Sequence, residues 1–364
     1  MAPYDAFLLV SFGGPEGPAD VIPFLRNVTA GRNVPAERLE QVAEHYYQFG
    51  GISPINQQCR DLIGAIEKDF AARGIALPVY WGNRNWEPYL ADTIADMAAA
   101  GVRRALAFVT SAYSSFSSCR QYLGDIETAR QKVDGGLLGV VPDGRPGARA
   151  PEIDKIRQYY NHPGFIGSFA SAVAAAAAAL PDRPGGGGSR PDFDLVFTAH
   201  SIPLCMAAAS GPAGGAYQAQ LAEAARLVAA EVGYERPWRL AYSSRSGPPS
   251  QPWLGPDISD LLAELSAAGS PGVVVVPIGF VSDHMEVKFD LDVEAASTAE
   301  RLGLPFARAA TPGTDTRFVS MISDLVSERL DGSSPLALGA LGPGPDRCPP
   351  GCCGTGAGRP QAAR

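Results

Sequence analysis

Three carboxylates at a spacing of four, Glu286, Asp290 and Glu294, follow directly on His284. On a helix that spacing sets them in one line. Like charges so placed repel by a few tenths of a kcal/mol per pair, so the row is either a solvated acidic face or a feature that uses its charge. Phe289, Leu291 and Val293 would pack the remaining faces. Carboxylate oxygens suit hard divalent cations, and a row of them leading from solvent to a buried imidazole suits a metal path or a proton relay. Carboxylate with imidazole would hold Fe(II) weakly and reversibly, as passing a metal onward requires. The chain has 4 histidines in all. His200 closes an apolar run in T-A-H-S-I-P, and His45 and His162 lie in helical or loop context. An imidazole titrates near neutrality, so it accepts or releases a proton without extreme tuning.

Two further groups of residues could bind something. Arg84, Tyr46, Tyr47, Trp81, Trp86, Tyr113 and Phe12 supply aromatic and cationic groups from the first half of the chain. Such residues are core by default, and clustered with an Arg they also suit a flat, anionic, aromatic ligand. Near the end, R-C-P-P-G-C-C-G places Cys348, Cys352 and Cys353 within six residues. Zinc and a [2Fe-2S] cluster both take four thiolates, so a fourth must come from the body. The remaining cysteines are Cys59, Cys119 and Cys205, of which Cys59 reads as a small buried hydrophobe.

Strands and loops must position these groups. Residues 6–12 (A-F-L-L-V-S-F) form an apolar run ending in Gly13-Gly14-Pro15, and residues 194–199 (D-L-V-F-T-A) do the same before His200. The halves keep matching. Residues 78–81 lead through G-N-R-N-W-E-P to an amphipathic segment at 91–99 and a strand at 105–110; residues 238–242 lead through S-S-R-S-G-P-P-S-Q-P-W to 258–268 and a strand at 273–279. Near-continuous apolar strands alternating with helices predict α/β architecture, with parallel sheets in two duplicated, doubly wound, Rossmann-like halves. The expected organisation is residues 1–160, residues 161–331 carrying the histidine and acidic helix, and an irregular tail at 332–364. Residues 143–150 and 182–191, the latter after an Ala-rich helix at 169–180, read as surface loops. In doubly wound sheets ligands bind at the C-terminal strand ends, which singles out residues 11–16, 111–120, 200–203 and 280–286.

Composition narrows the classes. Of 364 residues 46% are hydrophobic and 19% charged, enough for large cores. A net charge of −8 argues against a nucleic-acid binder. The longest apolar runs, 172–180 and 272–281, are about half of the ~20 residues a membrane span needs, and the N-terminus shows no basic region followed by an apolar core. A cytoplasmic protein without stable membrane insertion is expected.

Six motifs together carry a resemblance: F-G-G-P-E at 12–16, F-G-G-I-S-P-I at 49–55, G-N-R-N-W-E-P at 82–88, T-A-H-S-I-P at 198–203, S-G-P-P-S-Q-P-W-L-G-P at 246–256 and P-I-G-F-V-S-D-H-M-E at 277–286. Over residues 4–330 the chain resembles the ferrochelatases, most of all the actinobacterial members that use coproporphyrin III. The resemblance implies two chelatase halves enclosing a porphyrin cleft, Fe(II) as substrate, and distortion of the macrocycle before metal insertion. It makes His200 and Glu286 the catalytic pair, with His200 as proton acceptor or metal ligand, and Asp290 and Glu294 the continuing metal path. Phe12, Ser53, Arg84, Tyr113 and His284 would line the porphyrin. Phe12 stands where some relatives carry Tyr, and Arg26, Arg32 and Arg84 are available for propionates. The resemblance also implies a [2Fe-2S] cluster on Cys119, Cys348, Cys352 and Cys353, with Cys205 as the other choice for the internal ligand. A monomer with transient contacts to neighbouring enzymes of haem synthesis is implied. Alternatives are insertion into protoporphyrin IX, or a non-catalytic tetrapyrrole-binding or haem-handover protein.

Overall fold

The computed structural model describes residues 3–31, 34–135, 149–181, 192–247 and 250–356. The expected loops at 182–191 and, in greater part, at 143–150 lie outside the described residues, as does Arg32. The chain divides into two compact units, Met1–Thr110 with Gln121–Arg157 and Ile322–Pro335, and Ser111–Arg120 with Gln158–Met321 and Leu336–Arg364.

The first unit holds β1 (Ala6–Ser11), α1 (Pro18–Val28), α2 (Ala36–Tyr47), α3 (Ile55–Arg73), β2 (Val79–Asn83), α4 (Leu90–Ala99), β3 (Arg104–Val109), α5 (Gln121–Asp134) and β4 (Glu152–Lys155). The second holds α6 (Pro163–Ala179), β5 (Asp194–His200), α7 (Leu204–Ala208), α8 (Ala216–Glu231), β6 (Arg239–Ser243), α9 (Ile258–Ala267), β7 (Val273–Val276), α10 (Met285–Phe289), α11 (Ala296–Arg301) and β8 (Phe306–Arg308). A last helix, α12 (Thr316–Leu330), starts in the second unit and finishes in the first. Each sheet is parallel and four-stranded, ordered β2-β1-β3-β4 and β6-β5-β7-β8. The duplicated α/β fold read from the strand pattern is therefore present.

The central strands are covered on both faces. Every residue of β1 and of V-V-V-V in β7 is buried, and full burial of each valine contributes about 1.5–3 kcal/mol. In the second unit α9, α10 and α11 close one face, with Leu262, Val273, Val275, Val287 and Leu291 in a single apolar cluster. From Gly332 to Gly356 the chain is irregular.

Candidate active site and thiol pocket

His200 and the loop after β7 meet where the strand order of the second sheet reverses, at the carboxyl ends of β5 and β7. Gly279 makes the approach feasible. Its N–H donates to the Thr198 carbonyl, and a Cβ there would lie 2.7 Å from Ala199 Cα, against backbone that cannot yield. The loop then presents His284 as N-cap of α10, with Nδ1 accepting the Glu286 N–H at 3.2 Å. Imidazole serving as acceptor at Nδ1 carries its proton on Nε2, which lies 3.9 Å from Glu286 Oε2. Burial holds His284 below its ordinary pKa, and the charge of His200 adds to that, against the pull of Glu286 and Asp283.

His200 is the opposite case. Its Nδ1 donates to the Ser201 carbonyl, and Nε2 lies 3.3 Å from Glu286 Oε1. Burial alone would lower its pKa; the Glu286 carboxylate and the hydrogen bonds to Glu286 and Ser201 outweigh that and hold it at about 9. For Glu286 burial would favour the neutral acid, but His200, by charge and hydrogen bond, and His284 bring it to about 2. The pair is thus ionic at neutral pH. Both side chains keep accessible surface, 32% for His200 and 44% for Glu286, so a substrate can reach them.

The acidic row runs on from Glu286, but not along one α-helix. From Asp290 to Ala295 the backbone widens into a π-helix before α11 begins. Such bulges insert a residue into a helix and are frequent at functional sites. Asp290 accepts a hydrogen bond from Ser244 Oγ. Burial, with the charges of Glu286 and Glu294, still raises its carboxyl to about 7. Glu294, raised by burial and by Asp257, borders a surface recess of about 450 Å³ shared with Ser259, Ser297, Thr298 and Arg301. Asp290 and Glu294 thus follow Glu286 along the widened segment, and Glu294 lies at the surface recess. Among the described residues no three His, Cys, Asp or Glu side chains converge on one metal position.

Two residues that sequence reasoning missed hold this segment. Ser244 has φ +62°, a strained backbone for a non-glycine residue, and it aims its hydroxyl at Asp290. The only sequence signal was its place just past a strand end in the S-S-R-S-G loop. Arg308, at the end of β8, forks between Asp283, just before His284, and Asp292, between Asp290 and Glu294. Lys288 and Thr311 complete the network on Asp292 and Asp283. Arg308→Lys keeps the charge but loses the planar fork. It should lower kcat for the site's reaction by up to about 10²-fold, the cost of ~1 Å misplacement, with KM unchanged. Wild-type kcat would show that the clamp does not set the site.

The remaining expected ligand-lining residues sit as follows. In the second unit Tyr113 is buried, with its hydroxyl donating to the Ile278 carbonyl at 2.9 Å and its ring stacked on Tyr160. In the first unit Gly14 packs against Ser53, which is buried and whose N–H donates to the Pro15 carbonyl; a Cβ on Gly14 would come 2.6 Å from Ser53 Cβ. Phe12 is half-buried against Phe24. Arg84 lies over the rings of Phe12 and Tyr122, and its Nε donates to Asp125 at 2.5 Å, leaving the side chain 8% exposed.

In the second unit Cys119, Cys352 and Cys353 are buried together and Cys348 packs against them. Cys119 lies in a second π-helix, Phe116–Arg120. Its sulfur accepts from Gln158 Nε2 at 2.9 Å, and the Cys353 sulfur from the Gly211 N–H at 3.2 Å, donors of the kind that tune cluster sulfurs. Cys352 Sγ and Cys353 Sγ are 3.7 Å apart, close to the ~3.8 Å between two thiolates bound at ~2.3 Å to one tetrahedral ion. The hydrogen bond to Cys119, then burial, pushes the Cys353 thiol far up. Thiolates are the donors that zinc and iron–sulfur groups take, but among the described residues no three of these side chains are set for one metal ion. Cys205 is exposed, and Cys59 is buried in α3 with its thiol raised to about 11 by burial.

Comparison with known proteins shows the family. The ferrochelatase family matches residues 4–330. The chain is 51% identical to the coproporphyrin III ferrochelatase of Streptomyces griseus, covering 100% of this chain and 96% of that protein. It is 54% identical to that of Frankia alni, covering 96% and 86%, and 51% identical to the ferrochelatase of Rhodopirellula baltica, covering 97% and 94%. Among solved structures, the sirohydrochlorin chelatase SirB of Bacillus subtilis in complex with cobalt aligns with a TM-score of 0.50 at 9% identity, over 90% of this chain and 96% of that one. With the duplicated sheets, the paired histidine and glutamate and the acidic row all in place, the chain belongs to the ferrochelatase family.

Proposed function

We propose that the chain inserts Fe(II) into coproporphyrin III, and that it does so at His200 and Glu286. The observation that carries this reading is the ionic His200–Glu286 pair at the head of a carboxylate row that opens at the surface. The full-length relatives named coproporphyrin III ferrochelatases support the choice of porphyrin.

The electrostatics give an order of events. Insertion replaces two pyrrole protons with one Fe(II), so the site must accept two positive charges as protons while one dication is consumed. His200, protonated up to about pH 9, cannot begin as the base. Fe(II) passing Glu294 and Asp290 to Glu286 neutralises the carboxylate that holds that proton. The imidazolium then releases it to Asp290, and the freed Nε2 takes the first pyrrole proton, passes it along the same row and takes the second. Asp290, with a carboxyl near pH 7, loads and unloads protons without a large free-energy step, and Glu294 hands them to solvent.

Within the first unit Phe12 keeps accessible surface while Ser53 and Arg84 lie buried behind it, and within the second His284 keeps accessible surface while Tyr113 is buried; each set is proposed to serve the porphyrin from its own unit. The Arg84 guanidinium, engaged by Asp125, supports the Phe12 ring rather than reaching for a propionate. Cys119, Cys348, Cys352 and Cys353 are the residues that would hold a [2Fe-2S] cluster in the thiol pocket. Bound there, the cluster supplies a one-electron centre and a crosslink between the segment at 111–120 and the C-terminal segment. A cytoplasmic location goes with cysteines kept as thiols.

The test is anaerobic Fe(II) insertion with coproporphyrin III and protoporphyrin IX offered in parallel. The expected result is strong preference for coproporphyrin III. Preference for protoporphyrin IX would keep the pair and overturn the substrate. Tight binding of both without insertion would replace the enzyme reading with haem handover.

A further inference from the structure

Hydrogen-bonded tethers lead from the thiol pocket towards both histidine loops, and they meet in the first turn of α8. Cys353 Sγ accepts from Gly211 N–H. The neighbouring Ser210, fully buried, takes the Tyr217 N–H on its hydroxyl at 2.8 Å and the Ala216 N–H on its carbonyl at 3.0 Å, and donates to the Ala207 carbonyl at 2.6 Å. The loop has no slack here, since a Cβ on Gly211 would fall 2.3 Å from Ala216 Cβ. On the other side, Cys119 belongs to a turn whose Ser118 donates back to the Tyr113 carbonyl. The adjacent Ser114 is clasped by Gln220 of α8, at 2.7 Å to its N–H and 3.0 Å to its hydroxyl. Tyr113 in turn reaches Ile278, six residues before His284.

What α8 holds in return is His200. The Tyr217 hydroxyl donates to the His200 carbonyl at 2.9 Å, and its ring lies edge-on to Tyr113 at 6.3 Å. Burial, reinforced by Tyr242 and Glu286, pushes this phenol far above its ordinary pKa. It therefore stays a neutral donor at any working pH, suited to fixing a backbone group rather than to moving protons.

We propose that Tyr217 is the positioning residue for His200, and that the first turn of α8 transmits the state of the four-thiol pocket to it. A filled pocket fixes Cys353 and Cys119, hence Gly211–Ser210 and Ser114–Gln220, hence the Tyr217 hydroxyl. An empty one releases both anchors of that turn. The inference rests on the functional reading above for its turnover readout, but not for its second readout, which is amide exchange.

The test uses the full chain purified anaerobically. Tyr217→Phe should keep the visible absorption and the iron and sulfide content of wild type. Its kcat for insertion should fall about tenfold, within the range of site-to-site couplings, with porphyrin KM unchanged; a residue that merely filled core would not separate the two. Hydrogen exchange at residues 201–209 should quicken in Tyr217→Phe, and in wild type once a chelator strips the pocket. Stripping Tyr217→Phe should add nothing, because the link is already cut. Ser210→Ala, which loosens the same turn while keeping the phenol, should shift exchange in the same direction and covers failure of the first variant to fold. Unchanged kcat in Tyr217→Phe with its cluster intact, or an exchange change on stripping that is equal in both proteins, overturns the proposal. A wild-type protein without insertion activity would overturn the functional reading, and the exchange comparison would still decide this one.

Discussion

Replacing His200 by Ala should lower Fe(II) insertion by about 10²–10⁴-fold while porphyrin binding, followed by fluorescence quenching, stays intact. The loss is large because the pair fails as a unit. Without the imidazolium, burial acts on Glu286 with little opposition and its carboxyl rises towards neutrality. The proton acceptor and the charged oxygen that meets the metal then disappear together. Glu286→Gln is the converse, since His200 loses the two largest influences that raise it and, with only Ser201 and Asp290 set against burial, its pKa falls towards neutrality. Each single change disables both partners, so the double variant should lose little more than either. Full turnover in His200→Ala would refute the assignment. The pair also leaves a mark on stability. His200 is raised from 6.5 to about 9, so its stabilisation is complete below about pH 6.5 and is lost as pH rises through 9. Asp290 is raised from 3.8 to about 7, so its penalty accrues between those values and is complete above them. Thermal midpoints measured from pH 7 to pH 10 should therefore fall in wild type and flatten in His200→Gln. A parallel fall in both would assign the slope to other groups.

Sequence pattern carried the central strands and the histidine loops because burial on both faces writes an unbroken apolar run, as in V-V-V-V of β7. The edge strands β4 and β8 left no such trace. E-I-D-K and F-A-R are short and half-exposed, and β8 matters mainly for the arginine at its end. The acidic row was legible from its spacing, but its π-helical geometry was not. The widening is accompanied by bonds from Ser244 to Asp290 and from Arg308 to Asp292, partners 46 and 16 residues away. Long-range partners were also what the aromatic residues concealed. Tyr113 and Arg84 have the composition of a ligand wall, yet one spends its hydroxyl on a carbonyl and the other its guanidinium on Asp125. The four cysteines show the opposite outcome. Separated by more than two hundred residues in sequence, Cys119 and the C-terminal three lie in one pocket.

That pocket supplies the second large effect. Cys353→Ser should bleach the visible iron–sulfur absorption and remove most of the iron and inorganic sulfide from the purified chain. A hydroxyl is a far poorer ligand than a thiolate, and with one of four ligands gone the cluster loses its closed shell. Cys119→Ser should do the same, because its sulfur is buried beside those of Cys352 and Cys353 and receives the Gln158 amide. Cys205→Ser should leave the spectrum unchanged, since its exposed thiol lies outside this cluster of side chains. The reverse pattern, bleaching by Cys205→Ser and none by Cys119→Ser, would move the internal ligand to α7. Stability should follow the spectrum. A metal group that binds only the folded chain adds its binding free energy to folding, and here it would tie the segment at 111–120 to a tail that shows no helix or strand among its described residues. Bleached variants should therefore melt lower by several degrees, at ~2–4 °C per kcal/mol for a unit of this size. Proteolysis should then begin in the C-terminal segment, which Asn161 and Glu223 still hold at Leu338, Gly342 and Ala340. An unchanged spectrum with full iron and sulfide in Cys353→Ser would sink the four-ligand assignment, and with it the crosslink that makes the tail part of the enzyme.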